Sequence, residues 1–300
     1  VDHVNVIWRS YHEPEIIPRG YWDQAILEEF FSHSRYDHRT SFDGVQGGAV
    51  VVLNGRTHTS DEDIHQLNEE LNTLSWCLLF LTGDEEASFP WRKVQHPASP
   101  HGFRVWVMSP RRPFYDDCAH LINGYRPYTR TLLREIGEQE RTLDFFFAGQ
   151  VNHDRRTECE SALVPLLDSH SGHFIPTDHF GDEKLSYPEY LTVLSRAKVA
   201  PCPSGNYCPD TFRVWEALEA GCIPVVDAYS TCYREPGFWS YLLPDIPFPI
   251  VNDWSEFPAV LDSLLADWTN RSNRVFSWWI EYKRELKRTI ERDIAEIWRP

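Results

Sequence analysis

Residues 198–228, KVAPCPSGNYCPDTFRVWEALEAGCIPVVDA, decide the fold. Positions 198–202 form a short apolar run that predicts a strand, and a loop rich in Pro and Gly follows it. From Thr211 to Glu219 the pattern turns helical, and 222–226 is again a strand-like apolar run. Two strands joined through a helix cannot pair as a hairpin, so the crossover makes them parallel. The alternation continues outward. Downstream come a strand at 248–251 and a helix at 255–266; upstream, a strand at 144–148 ends at Gly149 and leads through a polar loop into a helix at 155–167. An extended stretch at 173–176 and a helix at 188–196 fill the space between. Strands alternating with helices of this length predict an α/β fold built on a parallel, doubly wound sheet.

The N-terminal half repeats the theme. Strands are expected at 4–8, 49–53, 76–82 and 103–108, with a helix at 23–31. Ser60 is positioned to cap a second helix whose apolar residues Ile64, Leu67, Leu71 and Leu74 recur at helical spacing. At 300 residues the chain has room for two such domains. The charged stretch 135–141 marks the expected boundary, giving an N-terminal domain at 1–138 and a C-terminal domain at 139–300. A last helix, 274–298, carries Trp279, Tyr282, Leu286, Ile290, Ile294 and Ile297 on one stripe and reads as a packing helix that crosses back onto the first domain.

Composition narrows the function. The formal net charge is −16, which gives no bulk support for binding a polyanion. Local basic stretches at Arg111-Arg112, Arg155-Arg156 and Lys283 to Arg292 suit a small phosphate compound instead. The 7 cysteines are scattered, with no CxxC or Cys/His zinc spacing, and several sit in apolar runs. They point to a reducing, cytoplasmic setting. No apolar run approaches the length of a membrane span, and the chain opens at Val1, which leaves room for a removed leader or anchor.

In an open parallel sheet, ligands bind at the carboxyl ends of the strands. The loop after 198–202 leads into a helix whose start carries Thr211 and Arg213. A helix N-terminus offers free N–H groups and positive potential to a diphosphate, and Arg213 adds a charge-assisted contact. Glu216, one turn on, is placed to accept hydrogen bonds from ribose hydroxyls. The competing reading is an ordinary helix whose Arg and Glu form a surface pair.

Residues 211–218, TFRVWEAL, followed by 221–226, GCIPVV, resemble the exostosin-like glycosyltransferases, which have a Ser/Thr-x-Arg-x-x-Glu-Ala-Leu helix before a Gly-Cys-Ile-Pro-Val-Val strand. Upstream, FFFAG at 145–149 with Arg155 or Arg156 resembles the family's Phe-Phe-x-Gly…Arg element, and Arg126-Pro127 with Arg130 resembles its lead-in. The likeness covers 145–251, about a third of the chain. It implies a GT-B fold: two Rossmann-like domains facing across a cleft. It also implies an inverting, metal-independent glycosyltransferase with a nucleotide-sugar co-substrate, UDP-linked by preference, and no further cofactor. By the same resemblance Arg213 and one of Arg155 and Arg156 hold the diphosphate, Glu216 holds the ribose, and Gly149 and Thr211 belong to the donor-binding set. Retaining GT-B enzymes often carry a second Glu eight positions before the ribose-binding one; here that position is Cys208, which fits inversion.

An inverting transfer needs a general base for the acceptor hydroxyl. TGDEE at 82–86 follows an expected strand, where the family has an acidic residue, often as Asp-His-Gly. Asp84 is the first candidate, Glu85 the second and Glu13 an outsider; a solvated acidic turn is the alternative. Asp61-Glu62-Asp63 matches a metal-binding Asp-x-Asp in letters, but it opens a helix after Ser60, where acids favour the dipole. Gly44 to Gly48 precedes a strand and is no dinucleotide fingerprint, and His170, His173 and His179 have no ligand spacing. The acceptor stays open among a glycan, a lipid-linked sugar, a metabolite, a protein and a modified base. Two other classes share the donor site: a nucleotide-sugar epimerase or hydrolase, and a non-catalytic binding subunit.

Overall fold

The computed structural model describes residues 3–10, 25–55, 60–86, 88–95, 102–109, 118–179, 184–243 and 245–298. The chain divides into two compact units, one of Val1–Pro127 with Lys283–Pro300 and one of Tyr128–Tyr282.

The first unit holds β1 (Val4–Ser10), α1 (Ala25–Phe30), β2 (Tyr36–Arg39), β3 (Ala49–Asn54), α2 (Asp61–Leu71), β4 (Cys77–Thr82), β5 (Phe103–Met108) and β6 (Ala119–Leu121). Its strands form one sheet in the order β2-β1-β3-β4-β5-β6. Every pairing is parallel. β3 and β4 are buried along their whole length, as strands covered on both faces must be. On one face Ile64, Leu67, Leu71 and Leu74 pack against Val51, Leu53, Leu79 and Leu81. Ser60 starts α2 with a full capping box: its side chain accepts from the Asp63 N–H, and the Asp63 carboxylate accepts from the Ser60 N–H at 2.7 Å. Asp61 is paired with Lys93 at 2.6 Å, so the Asp-x-Asp letters belong to a helix start. Gly48 is required by packing, because a Cβ there would lie 2.2 Å from the Trp76 ring.

The second unit contains α3 (Thr129–Ile136), β7 (Leu143–Gln150), α4 (Asp154–Leu163), β8 (Gly172–Thr177), α5 (Tyr187–Leu194), β9 (Ala197–Cys202), α6 (Phe212–Glu219), β10 (Ile223–Asp227), α7 (Phe238–Leu242), β11 (Ile250–Val251) and α8 (Phe257–Ala266). Its sheet runs β11-β10-β9-β7-β8, again parallel throughout. In both units the chain lays its second strand on one side of the first and then crosses to the other side. Right-handed crossovers in opposite directions put helices on both faces of each sheet. Accordingly α4 packs with α8, whereas α3 packs with α5 and α6. The helix α3, N-terminal to the charged stretch, is thus counted with the second unit.

The last helix, α9 (Trp268–Ile297), begins in the second unit and ends in the first. In the second unit Trp279 donates to Glu219 at 3.0 Å and its ring lies 5.4 Å from Trp215. In the first, Asp293 accepts from the Trp106 indole at 3.0 Å, and Trp298 stacks on Trp76. Trp279, Leu286, Ile290, Ile294 and Ile297 are buried, as their spacing predicts. Among the described residues no helix is long and apolar enough to cross a membrane.

Candidate functional site

In the second sheet the order reverses between β7 and β9, and an open α/β sheet leaves its ligand crevice outside the carboxyl ends of such strands. β7 ends through Ala148, Gly149 and Gln150, and β9 runs out towards Ser204. Arg156 laces the two ends together, its Nε donating to the Ser204 carbonyl at 3.1 Å and its Nη1 to the Gln150 carbonyl at 3.3 Å.

α6 starts above this edge. Thr211 is its N-cap in extended conformation, yet its hydroxyl makes no capping bond and is buried without a partner. Two residues on, Arg213 is 7% exposed. Its Nη2 donates to the Ala148 carbonyl at 3.1 Å, and its guanidinium carbon sits 4.8 Å from the centre of the Phe147 ring. The Nε is buried with no hydrogen-bond partner, and among the described residues no carboxylate pairs with this cation. The Ser204 hydroxyl is likewise buried and unpartnered. Native interiors leave few polar atoms unsatisfied, and a buried charge without a counter-ion costs several kcal/mol. Ser204 Oγ, Thr211 Oγ1 and Arg213 Nε, all between the end of β9 and the first turn of α6, are thus buried polar atoms without a hydrogen-bond partner among the described residues.

The neighbouring arginine is spent elsewhere. Arg155 is buried and donates to Asp227 at 3.1 Å through Nε and again through Nη2, to Glu158 through Nη1, and to the Asn252 carbonyl at 3.0 Å. Burial pushes the Asp227 carboxyl up, against the pull of Arg155 and of the Ser204 N–H that donates to it at 2.8 Å. This pair ties α4 to the end of β10. His153, the N-cap of α4, has its Nδ1 3.2 Å from the Thr231 hydroxyl. Burial, then the charge of Arg156, depress its imidazole to about 4.

Glu216 lies in the middle of α6. It is 1% exposed, and its Oε1 accepts from the Tyr187 hydroxyl at 2.8 Å. The lead-in residue Arg130 is paired with Glu219 at 3.6 Å.

In the first unit Asp84 follows β4 through Gly83, whose φ is +73°. The Asp84 carboxylate is buried and organises its own loop: Oδ1 accepts from the Ser88 N–H at 2.8 Å and its hydroxyl at 3.1 Å, and Oδ2 from the Phe89 N–H at 2.9 Å. Glu85 is exposed. Glu13 and Arg111-Arg112 lie outside the described residues. His170 pairs with Asp262 at 3.0 Å, away from the strand ends.

Ser204, Asp227, Tyr187 and His153 were not singled out from the sequence. Asp227 had a legible signal, because it closes the strand run of the quoted stretch and strand carboxyl ends are where ligands gather. The other three are ordinary loop and cap residues until the fold assembles them.

The second half of the chain resembles glycosyltransferases. A model of the family described as the RXYLT1 C-terminal domain matches residues 177–297, which takes in Tyr187, Thr211, Arg213, Glu216 and Asp227. Ribitol-5-phosphate xylosyltransferase 1 of Danio rerio is 28% identical over 112 residues, 33% of this chain and 25% of the relative. The chain therefore spans about a quarter of that relative's length. Among solved structures, a crystal structure of an alpha1,3-fucosyltransferase aligns with a TM-score of 0.46 at 11% identity, over 91% of this chain and 81% of that one.

Proposed function

We propose that the protein is a nucleotide-sugar-dependent glycosyltransferase whose second unit binds the donor. One observation carries the reading: the buried guanidinium of Arg213, with its Nε unpartnered and no carboxylate beside it among the described residues, next to the orphaned hydroxyl of Thr211. A nucleoside diphosphate supplies the missing acceptors and the missing negative charge. As the sugar leaves, charge grows on that diphosphate, and fixed donors in a water-poor site stabilise it. Arg213, Arg156 and the first turn of α6 fill this role in our reading, with Gly149 giving the guanidinium room and Glu216 holding the ribose. Arg155 is assigned a structural task, because its partners are already carboxylates.

The finer parts of the proposal are the exostosin-like, GT-B fold, single-displacement inversion, metal independence and a UDP donor. They rest on the resemblance of 145–251 and on Cys208 standing where a retaining enzyme often has Glu. The base is placed on the turn after β4. Asp84 ranks first from the sequence, but both of its oxygens already accept loop N–H groups, so Glu85 is favoured here. The curated relative's name makes xylose the first donor sugar to try and a ribitol-5-phosphate terminus the first acceptor.

A thermal-shift panel of nucleotide sugars tests the class. A ligand at a hundred times its Kd raises stability by about 2.7 kcal/mol, a shift of several degrees for one unit. UDP-xylose and free UDP are expected to stabilise the second unit in the presence of EDTA. A panel in which no nucleoside diphosphate shifts the transition contradicts the proposal.

A further inference from the structure

Asn270-Arg271-Ser272 is the sequence's single Asn-x-Ser/Thr triplet, and its middle residue is not proline. It falls in the first turn of α9, on the part of that helix counted with the second unit. Asn270 and Arg271 are exposed and Ser272 is half-buried. The Asn270 amide nitrogen donates to Asp267 Oδ1 at 2.6 Å, and Asp267 is itself exposed. Arg271 leans on α8, its Nη2 donating to the Ser263 hydroxyl at 3.2 Å. Beside it opens a shallow groove of about 410 Å³ bordered by Pro249, Val260 and Leu264, so no described element covers this face. The place of the triplet in the unit is set by Trp268, whose indole donates to the Lys198 carbonyl at 3.2 Å. Lys198 is the second residue of β9, which puts the start of α9 at the amino end of the sheet. Thr211 and Arg213 follow the other end of β9, and Arg213 is seated on the Ala148 carbonyl near the end of β7.

We propose that Asn270 is a site of N-linked glycosylation, whose glycan the fold accommodates at the amino end of the second sheet. The reaction joins the amide nitrogen to C1 of a sugar delivered as a lipid-pyrophosphate-linked oligosaccharide. The bond from C1 to the pyrophosphate oxygen breaks, the amide nitrogen gives up one proton, and the lipid pyrophosphate leaves. In the folded helix Ser272 Oγ donates to the Thr269 carbonyl at 3.1 Å while Asn270 is held by Asp267, so the two side chains of the triplet are engaged separately. The transfer therefore precedes the closing of α9. The product amide keeps one N–H, enough to restore the bond to Asp267 once the helix forms. A bulky, solubilising group suits such a surface position. An oxidising lumen does not threaten the core of the unit, because Cys159, Cys202, Cys208 and Cys222 are buried, where thiols are inert.

The full chain, directed into the secretory pathway of cultured animal cells by a cleavable signal peptide, tests this. Peptide mapping after release with peptide N-glycosidase in heavy-oxygen water is expected to find residue 270 as labelled aspartate in most molecules. Asn270→Gln and Ser272→Ala are each expected to abolish the label, and Ser272→Thr to keep it. Chains retained in the cells are mapped in the same way after detergent extraction, so poor secretion does not hide the result. An unmodified Asn270 in the parent overturns the proposal. A glycan found only on retained, aggregated chains, while Asn270→Gln is secreted folded, also overturns it, since the fold would then not accommodate the sugar.

Discussion

The guanidinium of Arg213 occupies the space in which residue 149 would carry a side chain: a Cβ built on Gly149 lies 2.2 Å from Arg213 Nη2. The backbone there has φ +147°, which only glycine adopts without strain. Gly149→Ala is therefore expected to displace Arg213 and weaken UDP by tens-fold. Because both changes act through one group, Gly149→Ala added to Arg213→Ala is expected to cost little further affinity. Calorimetry on the two single variants and the double variant checks this; additive losses would separate the two residues.

Arg155 and Arg156 are neighbours in sequence with opposite expected phenotypes. Arg155→Ala leaves the buried Asp227 carboxylate uncompensated, and breaking such a pair costs about 3–5 kcal/mol. Arg156→Ala removes donors to two carbonyls and is expected to cost the fold about 1 kcal/mol while weakening UDP at least tenfold. Urea melts and nucleotide titrations of both variants make the comparison.

On the turn after β4 the two acids divide in the same way. Asp84→Asn replaces an acceptor of three hydrogen bonds by a group with one acceptor oxygen, so a loss of roughly 1–3 kcal/mol of stability is expected. Glu85→Gln is expected to leave stability and donor affinity at parent values and to lower transfer by about 10²–10⁴ as the base is removed. A Glu85→Gln variant that transfers sugar at the parent rate moves the base elsewhere.

His153 gives a pH signature. Its imidazole takes a proton near 6.5 in the unfolded chain and only near 4 when folded, because burial and then Arg156 oppose the charge. The unfolded state thus binds the extra proton first. The contribution of His153 is complete above pH 6.5 and is lost as pH falls towards 4. His153→Asn is expected to flatten stability against pH in that window. Asp227 also titrates abnormally but is common to both proteins, so the difference between the two profiles isolates the histidine.

Much of this architecture is legible in the residues because burial on both faces writes strands as unbroken apolar runs. AVVVLN in β3 and CLLFLT in β4 are fully buried and were readable as strands. The edge strand β2, YDHR, was not, since three of its four residues are polar or charged. β6 spans three residues and α7 five, too short for a periodicity to declare itself. Within the candidate site, Arg213 and Glu216 are visible as one helix turn. What the sequence hides is long-range: the pairing of Arg155 with Asp227, 72 residues apart, and the seat of Arg213 against Ala148, 65 residues away. Nothing local marks those contacts, because the crossovers of the sheet create them.

The central claim is that Arg213 is a buried cation waiting for a diphosphate, and one titration tests it most directly. UDP titrated calorimetrically onto the parent and onto Arg213→Ala, both in EDTA, is expected to give a single saturable site in the parent. In the variant the affinity should be tens- to hundreds-fold weaker, the loss of a charge-assisted contact worth about 2–3 kcal/mol. Truncating a buried cation that has no counter-ion among the described residues relieves a desolvation cost that its bond to the Ala148 carbonyl only partly offsets, so the variant should also be about as stable as the parent without nucleotide. Equal affinity in the two proteins, or no binding of UDP by the parent, contradicts the account.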